Sequence, residues 1–550
     1  MKVDPNILFV NLPSRPFDDI LASFKGENLI AEPISMPMGI LYISSYIKQH
    51  NSLGQVGILD YALAMGNISR YKNLDEFIID GTRKINFIPD ILAFSLIYST
   101  AHKIFTICIE KLKSFWPKAT TIVGGTHATC CVKEILEKID VDYLVRGEGE
   151  LVFSEFINKY SYSEEIKVKG IYNKKDIILD KPLEVGDYIK DLNALPFPDW
   201  KLISMERYIN ARGRKREFTG SKESKFATMI TTRGCPFKCT FCASHVVHGR
   251  TVRFRTPENV AEEVKYLYEH YGVTLIIPED DMFTIPKDRC LNMLSALELL
   301  NIPDFEIQLP SGLSVNTLDE KIIDKMINAG VKIFTIAIES GSEYVQKNII
   351  KKNCNLKKAK EIVKYLKSKQ VTVRTYFILG LFSETIEQMH ETIEYAKILG
   401  ADWCVFMIAT PLIGSEMYNQ MVNAGYIKND IDLWSKAFFQ DRNFDTPEIS
   451  ACDLKELVYR ANLECNFINN INKVSGNYEK AIEIYNDIVF AYPFHIIGWY
   501  CIMKCYEALQ NFEKVLQLKE KITELIKCDK RSTEIFNKYY DLMPDFIFPE

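Results

Sequence analysis

Ala227-Thr228-Met229-Ile230-Thr231-Thr232-Arg233-Gly234-Cys235-Pro236-Phe237-Lys238-Cys239-Thr240-Phe241-Cys242 runs from a strand-like segment into three thiols spaced C-x3-C-x2-C. One short loop can wrap such a triad around a single metal centre. Iron–sulfur clusters are held by cysteine thiolates, and a [4Fe–4S] cube has four irons to ligate. Three local cysteines leave one iron open, and an open position marks a reactive site rather than a structural one. Zinc is the alternative; it needs a fourth nearby Cys or His, and His245 and His248 follow closely. The strand that feeds the loop, the aromatic Phe241 before the third thiol and the alternating strands and helices beyond favour the cluster.

Downstream, apolar runs predict strands at Ala227–Thr232, Thr274–Pro278, Phe305–Leu309, Lys332–Glu339, Thr372–Leu379 and Trp403–Ala409. Amphipathic stretches predict helices over Pro257–His270, Lys287–Leu300, Leu318–Ala329, Leu356–Ser368 and Glu384–Leu399. Six βα units make an incomplete barrel, open on one side, whose site lies at the C-terminal ends of the strands. Glu279-Asp280-Asp281, Gln308, Glu339-Ser340-Gly341-Ser342 and the stretch from Tyr376 to Thr385 fall there. Three consecutive acids at one strand end repel one another unless cations or donors meet them.

Upstream, the first ~160 residues alternate short apolar runs with amphipathic stretches, the pattern of a parallel sheet flanked by helices. The runs are Ile7 to Leu12, Val56 to Asp60, Ile91 to Leu96, Thr120 to Val123 and Tyr143 to Val145, with helices at Gly39 to Lys48 and Ala101 to Leu112. Ligands of such sheets sit beyond the carboxyl ends of the strands. That rule selects Asn11-Leu12-Pro13, Asp60-Tyr61, Ser95 to Thr100, Gly124-Gly125-Thr126-His127 and Gly147-Glu148-Gly149-Glu150. His127 is expected to bond nearby backbone or a ligand group rather than a metal, and Cys130 and Cys131 to be buried small residues. Residues 161–226 form a linker with a hairpin-like stretch from Lys167 to Leu179 and prolines at 182, 196 and 198. Its basic run, Arg212-Gly213-Arg214-Lys215-Arg216 with Lys222 and Lys225, reads as a solvated loop or as a lid over an anionic substrate or cofactor tail.

The last hundred residues are helical and repetitive. Asn477-Tyr478-Glu479-Lys480-Ala481-Ile482 recurs as Asn511-Phe512-Glu513-Lys514-Val515-Leu516, at the tetratricopeptide (TPR) period. Such helices either close the open side of the barrel or form a docking surface. The expected architecture is therefore α/β throughout residues 1–430. A doubly wound Rossmann-like domain spans 1–160, a linker 161–226, a partial (β/α)6 TIM-like barrel 227–430 and an α-helical TPR-like tail 431–550.

Composition narrows the setting. With 550 residues, 47% hydrophobic and 25% charged, the chain reads as ordinary globular protein, and a net charge of −5 gives no sign of a nucleic-acid binder. No apolar run is long enough to span a bilayer, and the N-terminus does not read as a signal peptide. Fourteen cysteines scattered through so large a chain suit a reducing cytoplasm, where an oxygen-sensitive cluster survives.

The cysteine loop and its setting resemble the signature of the radical S-adenosylmethionine (radical SAM) enzymes. The phrases PMGILYISSYI, VGILDY, VGGTHAT and YLVRGEGE resemble the cobalamin (B12)-binding domain that precedes many such cores. The resemblance implies that Cys235, Cys239 and Cys242 ligate a [4Fe–4S] cluster whose open iron chelates S-adenosylmethionine. It also implies that Glu279 and Asp280 receive the amine of S-adenosylmethionine, that Glu339 and Ser340 contact the ribose, and that Phe241 and the backbone at Gly380 lie near the adenine. Phe382 and Ser383 stand where the family has Pro-Gly, and Arg233 and Arg374 are either carboxylate holders or structural ion pairs. Ser95, Gly124, Gly125, Thr126 and Glu148 are the residues implied for cobalamin. No D-x-H-x-x-G motif occurs, which implies a cobalt without a histidine lower ligand or a domain that has lost the cofactor.

The activity implied is formation of a 5′-deoxyadenosyl radical and cobalamin-dependent methylation of an unactivated carbon. A radical cyclisation or rearrangement is the alternative, and a TPR adaptor with a structural or redox-sensing cluster is the alternative from another class. A small-molecule or peptide substrate and an electron donor such as a flavodoxin or ferredoxin would be the partners.

Overall fold

Strands buried on both faces have to be apolar along their whole length, and helices must cover the two sides of the sheet. The computed structural model describes residues 3–25, 35–211, 224–428 and 441–547, and these fall into two compact units. One unit gathers the described residues up to 211 with 224–307 and 410–428; the other gathers 308–409 and 441–547.

The first unit opens with strands β1 (Ile7–Asn11), β2 (Val56–Asp60), β3 (Ile91–Ser95), β4 (Thr120–Gly124), β5 (Tyr143–Val145) and β6 (Ile171–Tyr172), in the order β2-β1-β3-β4-β5-β6. The first five pair in parallel and β6 pairs antiparallel with β5. Alternation along each strand builds two cores. Leu8, Val10, Leu92, Phe94 and Val123 enter one; Ile7, Phe9, Ile91, Ala93 and Ile122 enter the other. The stretch from Lys167 to Leu179 is not a hairpin. After the two-residue β6, Asn173 and Asp176 form a capping box that starts a helix over Lys174–Ile178. The basic run at 212–216 and Lys222 lie outside the described residues.

The same unit carries β7 (Phe226–Met229), the ribbon of β8 (Thr232–Arg233) and β9 (Arg253–Phe254), then β10 (Leu275–Pro278) and β11 (Glu306–Ile307). β7, β10 and β11 form a parallel sheet in the order β11-β10-β7.

The second unit holds β12 (Ile333–Glu339), β13 (Thr372–Leu379) and β14 (Trp403–Ile408), parallel and adjacent in that order. The six strands expected of the core are thus present as two parallel sheets of three, one in each unit. The tail folds on the second sheet through side-chain amides. Asn466 accepts the amide of Cys404 at 2.7 Å and donates to the Cys404 carbonyl at 2.6 Å, so it pairs with the outer edge of β14 as a neighbouring strand would. Asn470 donates to the Asp402 carbonyl at 2.9 Å, and Asn472 to the Asp402 carboxylate at 2.8 Å. Beyond them, helices over Tyr478–Ala491, Ile496–Ala508, Phe512–Cys528 and Lys530–Tyr539 share one apolar core with Trp403. Tyr478 and Phe512, equivalent positions of the sequence repeat, each open a helix.

Candidate active site

The cysteine loop is held at its base before any cofactor is considered. Asp280, at the end of β10, accepts the backbone amides of Thr231 at 2.6 Å and Thr232 at 3.0 Å, and also the Thr231 hydroxyl. Arg289 donates to the Thr231 carbonyl at 3.1 Å and to the Arg255 carbonyl at 3.0 Å. β8 and β9 then pair antiparallel, Arg233 opposite Arg253, and residues 234–252 become a closed hairpin loop. Gly234 has φ of 91°, and a Cβ there would lie 2.4 Å from the Thr251 carbonyl oxygen, so only glycine fits this crossing. Within the loop the Cys242 amide donates to the Cys239 carbonyl at 3.2 Å, and the Ser244 amide meets the Cys242 sulfur at 3.5 Å.

All three thiols are half-buried, so a metal centre can reach them, and an amide already points at one sulfur. That donor set fits an iron–sulfur cluster. Phe241 is half-buried beside Cys242.

The three acids after β10 have separate surroundings. Asp280 is consumed by the loop base, and Asp281 accepts the Ser244 hydroxyl at 2.6 Å. Glu279 is exposed to solvent along its side chain, and desolvation by the protein atoms around it, together with the Asp280 charge, pushes its pKa up to about 7.

In the second unit, Glu339 ends β12 in the left-handed region, with φ of 72°, and its carboxylate pairs with Lys352 at 2.7 Å. A non-glycine residue held there is backbone strain of the kind found at ligand sites. Ser340 is fully buried; its hydroxyl exchanges a bond with Thr392 at 2.9 Å and accepts the Ser342 amide at 3.2 Å. Gly380 ends β13 with φ of 79°; a Cβ there would meet Leu454 at 2.4 Å. Its amide and that of Leu381 both donate to Glu384, at 2.8 and 3.0 Å, while Arg442 donates to its carbonyl at 3.1 Å. Half-buried Arg374 keeps a buried Nε that has no hydrogen-bond partner.

The N-terminal sheet presents a second cradle. Its order 2-1-3-4-5 reverses between β1 and β3, and ligands of such sheets sit at that switch point. Asn11 and Ser95 face each other there. Ser95, Gly124, Gly125 and Thr126 are half-buried, and Gly125 (φ 110°) passes so close to Leu96 that a Cβ would lie 2.6 Å from its carbonyl oxygen. Ile97 and Tyr98, just beyond β3, are 40% and 43% exposed, an apolar lip that suits a large flat ligand. His127 is committed elsewhere: Nδ1 lies 3.0 Å from the Ser99 hydroxyl and Nε2 lies 3.0 Å from His102. Burial, with His102 beside it, lowers its pKa to about 3 and keeps it neutral.

Glu148 does not face this cradle freely. It is bound to Arg233, Arg253 and His248, and Glu150 joins Arg233. From the same domain Tyr42 packs its ring 5.2 Å from the Arg233 guanidinium. Arg253 has no place in the sequence-based expectations, and His248, Glu150 and Tyr42, which do, have no expected part in holding Arg233 and Glu148. The repeated acid in Gly147-Glu148-Gly149-Glu150 opposite two arginines flanking the loop was the available signal.

Residues 229–396 match the family model of the radical SAM superfamily, and residues 31–157 match that of the B12 binding domain. The chain is a radical SAM enzyme with an N-terminal B12-binding domain. Its cofactors are a [4Fe–4S] cluster, S-adenosylmethionine and cobalamin. Among its relatives, cytidylyl-2-hydroxyethylphosphonate methyltransferase of Streptomyces wedmorensis is 27% identical over 441 residues, 74% of this chain and 81% of that protein. An uncharacterized methyltransferase of Pyrococcus horikoshii is 27% identical over 389 residues, 70% and 78% of the two chains. In fold, the chain resembles the radical SAM methyltransferase TsrM from Kitasatospora setae, solved with cobalamin and a [4Fe–4S] cluster (TM-score 0.57, 13% identity, 77% of this chain and 78% of that one). It also resembles the cobalamin-dependent radical enzyme OxsB, solved with aqua-cobalamin and S-adenosylmethionine (TM-score 0.58, 16% identity, 99% and 77%).

Proposed function

We propose that this enzyme methylates an unactivated carbon of its substrate. The observation that carries the reading is the pairing of a B12-binding domain with the cysteine loop, in a chain whose methyltransferase relative from Streptomyces matches over 74% of its length. When bound, the cofactors supply a 5′-deoxyadenosyl radical for hydrogen abstraction and a carrier for the methyl group. Cys235, Cys239 and Cys242 would hold the cluster, and Glu279, the acid of its trio that the loop leaves available, would accept from the amine of S-adenosylmethionine. Glu339 and the backbone at Gly380 would line the nucleoside, with Phe241 at the adenine; Ser340 supports that strand end from within. Ser95, Gly124, Gly125 and Thr126 would seat the cobalamin. Abstraction by a radical needs no general base, which agrees with a site built from thiols, carboxylates and backbone.

The substrate would be a small molecule or a peptide, and a flavodoxin or ferredoxin would deliver the electron. We read the tail as a TPR-like repeat whose first duty is to cover the edge of β14. Radical cyclisation is the second reading. An anaerobic magnesium-protoporphyrin IX monomethyl ester cyclase of Cereibacter sphaeroides is 26% identical over 65% of this chain, although over only 56% of its own length.

Anaerobic turnover with methyl-deuterated S-adenosylmethionine and candidate substrates tests the proposal. Methyl transfer predicts 5′-deoxyadenosine, S-adenosylhomocysteine and a labelled product. 5′-Deoxyadenosine with no labelled product would favour cyclisation. Cys239→Ala should abolish S-adenosylmethionine cleavage, by at least a thousandfold if the cluster is lost.

A further inference from the structure

The cysteine loop is a hairpin, and both of its stems end on one carboxylate that belongs to the B12-binding domain. Arg233 and Arg253 face each other across β8 and β9, just before and just after the loop. Glu148 Oε2 lies 3.1 Å from Arg233 Nη1 and accepts Arg253 Nη1 at 2.9 Å. Its other oxygen faces His248 Nδ1 at 2.7 Å, in the turn that follows Cys242. Glu150 takes Arg233 Nη2 at 2.6 Å. The side chains of both acids and of Arg233 are 4% exposed, and that of Arg253 is 9% exposed.

Around them stand the ring of Tyr42 over Arg233 and the ring of Tyr188 at 4.8 Å over Arg253, with the Ile189 carbonyl accepting Arg253 at 2.8 Å. Two anions therefore meet two cations in a site that water barely enters, where charge acts over longer range than at a surface. Such networks are weak sources of stability, since apolar residues of similar size often serve as well. What they do fix is geometry and local charge, and here both are fixed at the stems of the cluster loop.

We propose that Glu148 is a positioning residue for the cluster: it reaches from the B12-binding domain, holds both stems of the loop, and offsets the charges of Arg233 and Arg253 so as to set how readily the cluster takes an electron. The inference rests on the reading of the three cysteines as cluster ligands. Its sign follows from charge. Glu148→Gln keeps the shape but leaves one excess positive charge buried beside the loop, and a positive charge favours the more negative, reduced cluster. Arg253→Gln in the same chain removes the excess again.

The test is an anaerobic redox titration of the full-length protein loaded with cluster and cobalamin, followed by the electron paramagnetic resonance signal of the reduced cluster. Glu148→Gln should shift the one-electron equilibrium toward the reduced form at least tenfold, an upward move of about 59 mV, with iron content unchanged. The Glu148→Gln/Arg253→Gln double variant should return to within twofold of wild type. Should Glu148→Gln not accumulate as folded protein, Glu150→Gln leaves Arg233 one anion short and should shift the potential in the same direction. A titration of a single variant within twofold of wild type, or a double variant that does not return, would overturn the proposal. A wild-type protein with no iron–sulfur signal at all would instead overturn the reading of Cys235, Cys239 and Cys242 on which it rests.

Discussion

Glu279, Asp280 and Asp281 are neighbours in sequence with three different occupations. Asp280 is an acceptor for the loop base, Asp281 for Ser244, and Glu279 is left exposed to solvent. With its pKa pushed up to about 7 by burial and by Asp280, Glu279 is an anion at pH 8 and mostly the neutral acid at pH 6. A carboxylate accepts from an amine far better than a carboxylic acid does. The affinity of the cluster-loaded protein for S-adenosylhomocysteine should therefore weaken about tenfold from pH 8 to pH 6, in step with the anion fraction. Equilibrium dialysis at the two pH values checks this. Glu279→Gln should bind weakly at pH 8 and lose most of the pH dependence; an unchanged profile would remove Glu279 from the site. The sequence located this trio but could not divide its labour, because which acid faces the Thr231 and Thr232 amides is decided by the pairing of β10 with β7. Glu148 was similarly visible as a strand-end acid, while its partners Arg233 and Arg253 lie 85 and 105 residues further along the chain.

Among the elements, strands were the most legible. Runs such as Val56–Asp60 and Thr372–Leu379 stop where their apolar pattern stops. Two-residue strands carry no period, so the β8–β9 ribbon that closes the cysteine loop left no trace in the pattern. The stretch after β6 was misread because a capping box at Asn173 and Asp176 outweighs a weak alternation. The tail's attachment left no periodic signal: it rests on Asn466, Asn470 and Asn472, whose amides satisfy the outer edge of β14 and the carbonyl and carboxylate of Asp402. An exposed strand edge is a hazard that must be covered. Asn466→Ala would orphan a buried amide and a buried carbonyl at once, at a cost of about 2–4 kcal/mol. Urea unfolding of the variant should show its midpoint lowered accordingly. A change under about 0.5 kcal/mol would mean that the tail is held by its apolar core alone.

At the scale of the whole chain, the order of domains carries the functional account. A sheet with its switch point between β1 and β3 precedes a loop of three half-buried thiols, and the family models of the B12 binding domain and of the radical SAM superfamily match in the same order. No helix among the described residues is long and apolar enough to cross a membrane. The substrate was not legible, because a radical taken from a cofactor imposes no distinctive side chain on the molecule it attacks. The measurement that bears most directly on the account is iron, sulfide, cobalt and zinc analysis of protein purified anaerobically with added hydroxocobalamin. About four irons and one cobalt per chain are predicted, with the iron lost in Cys239→Ala and the cobalt retained. Zinc in place of iron, or iron with no cobalt, would contradict a cobalamin-dependent radical enzyme.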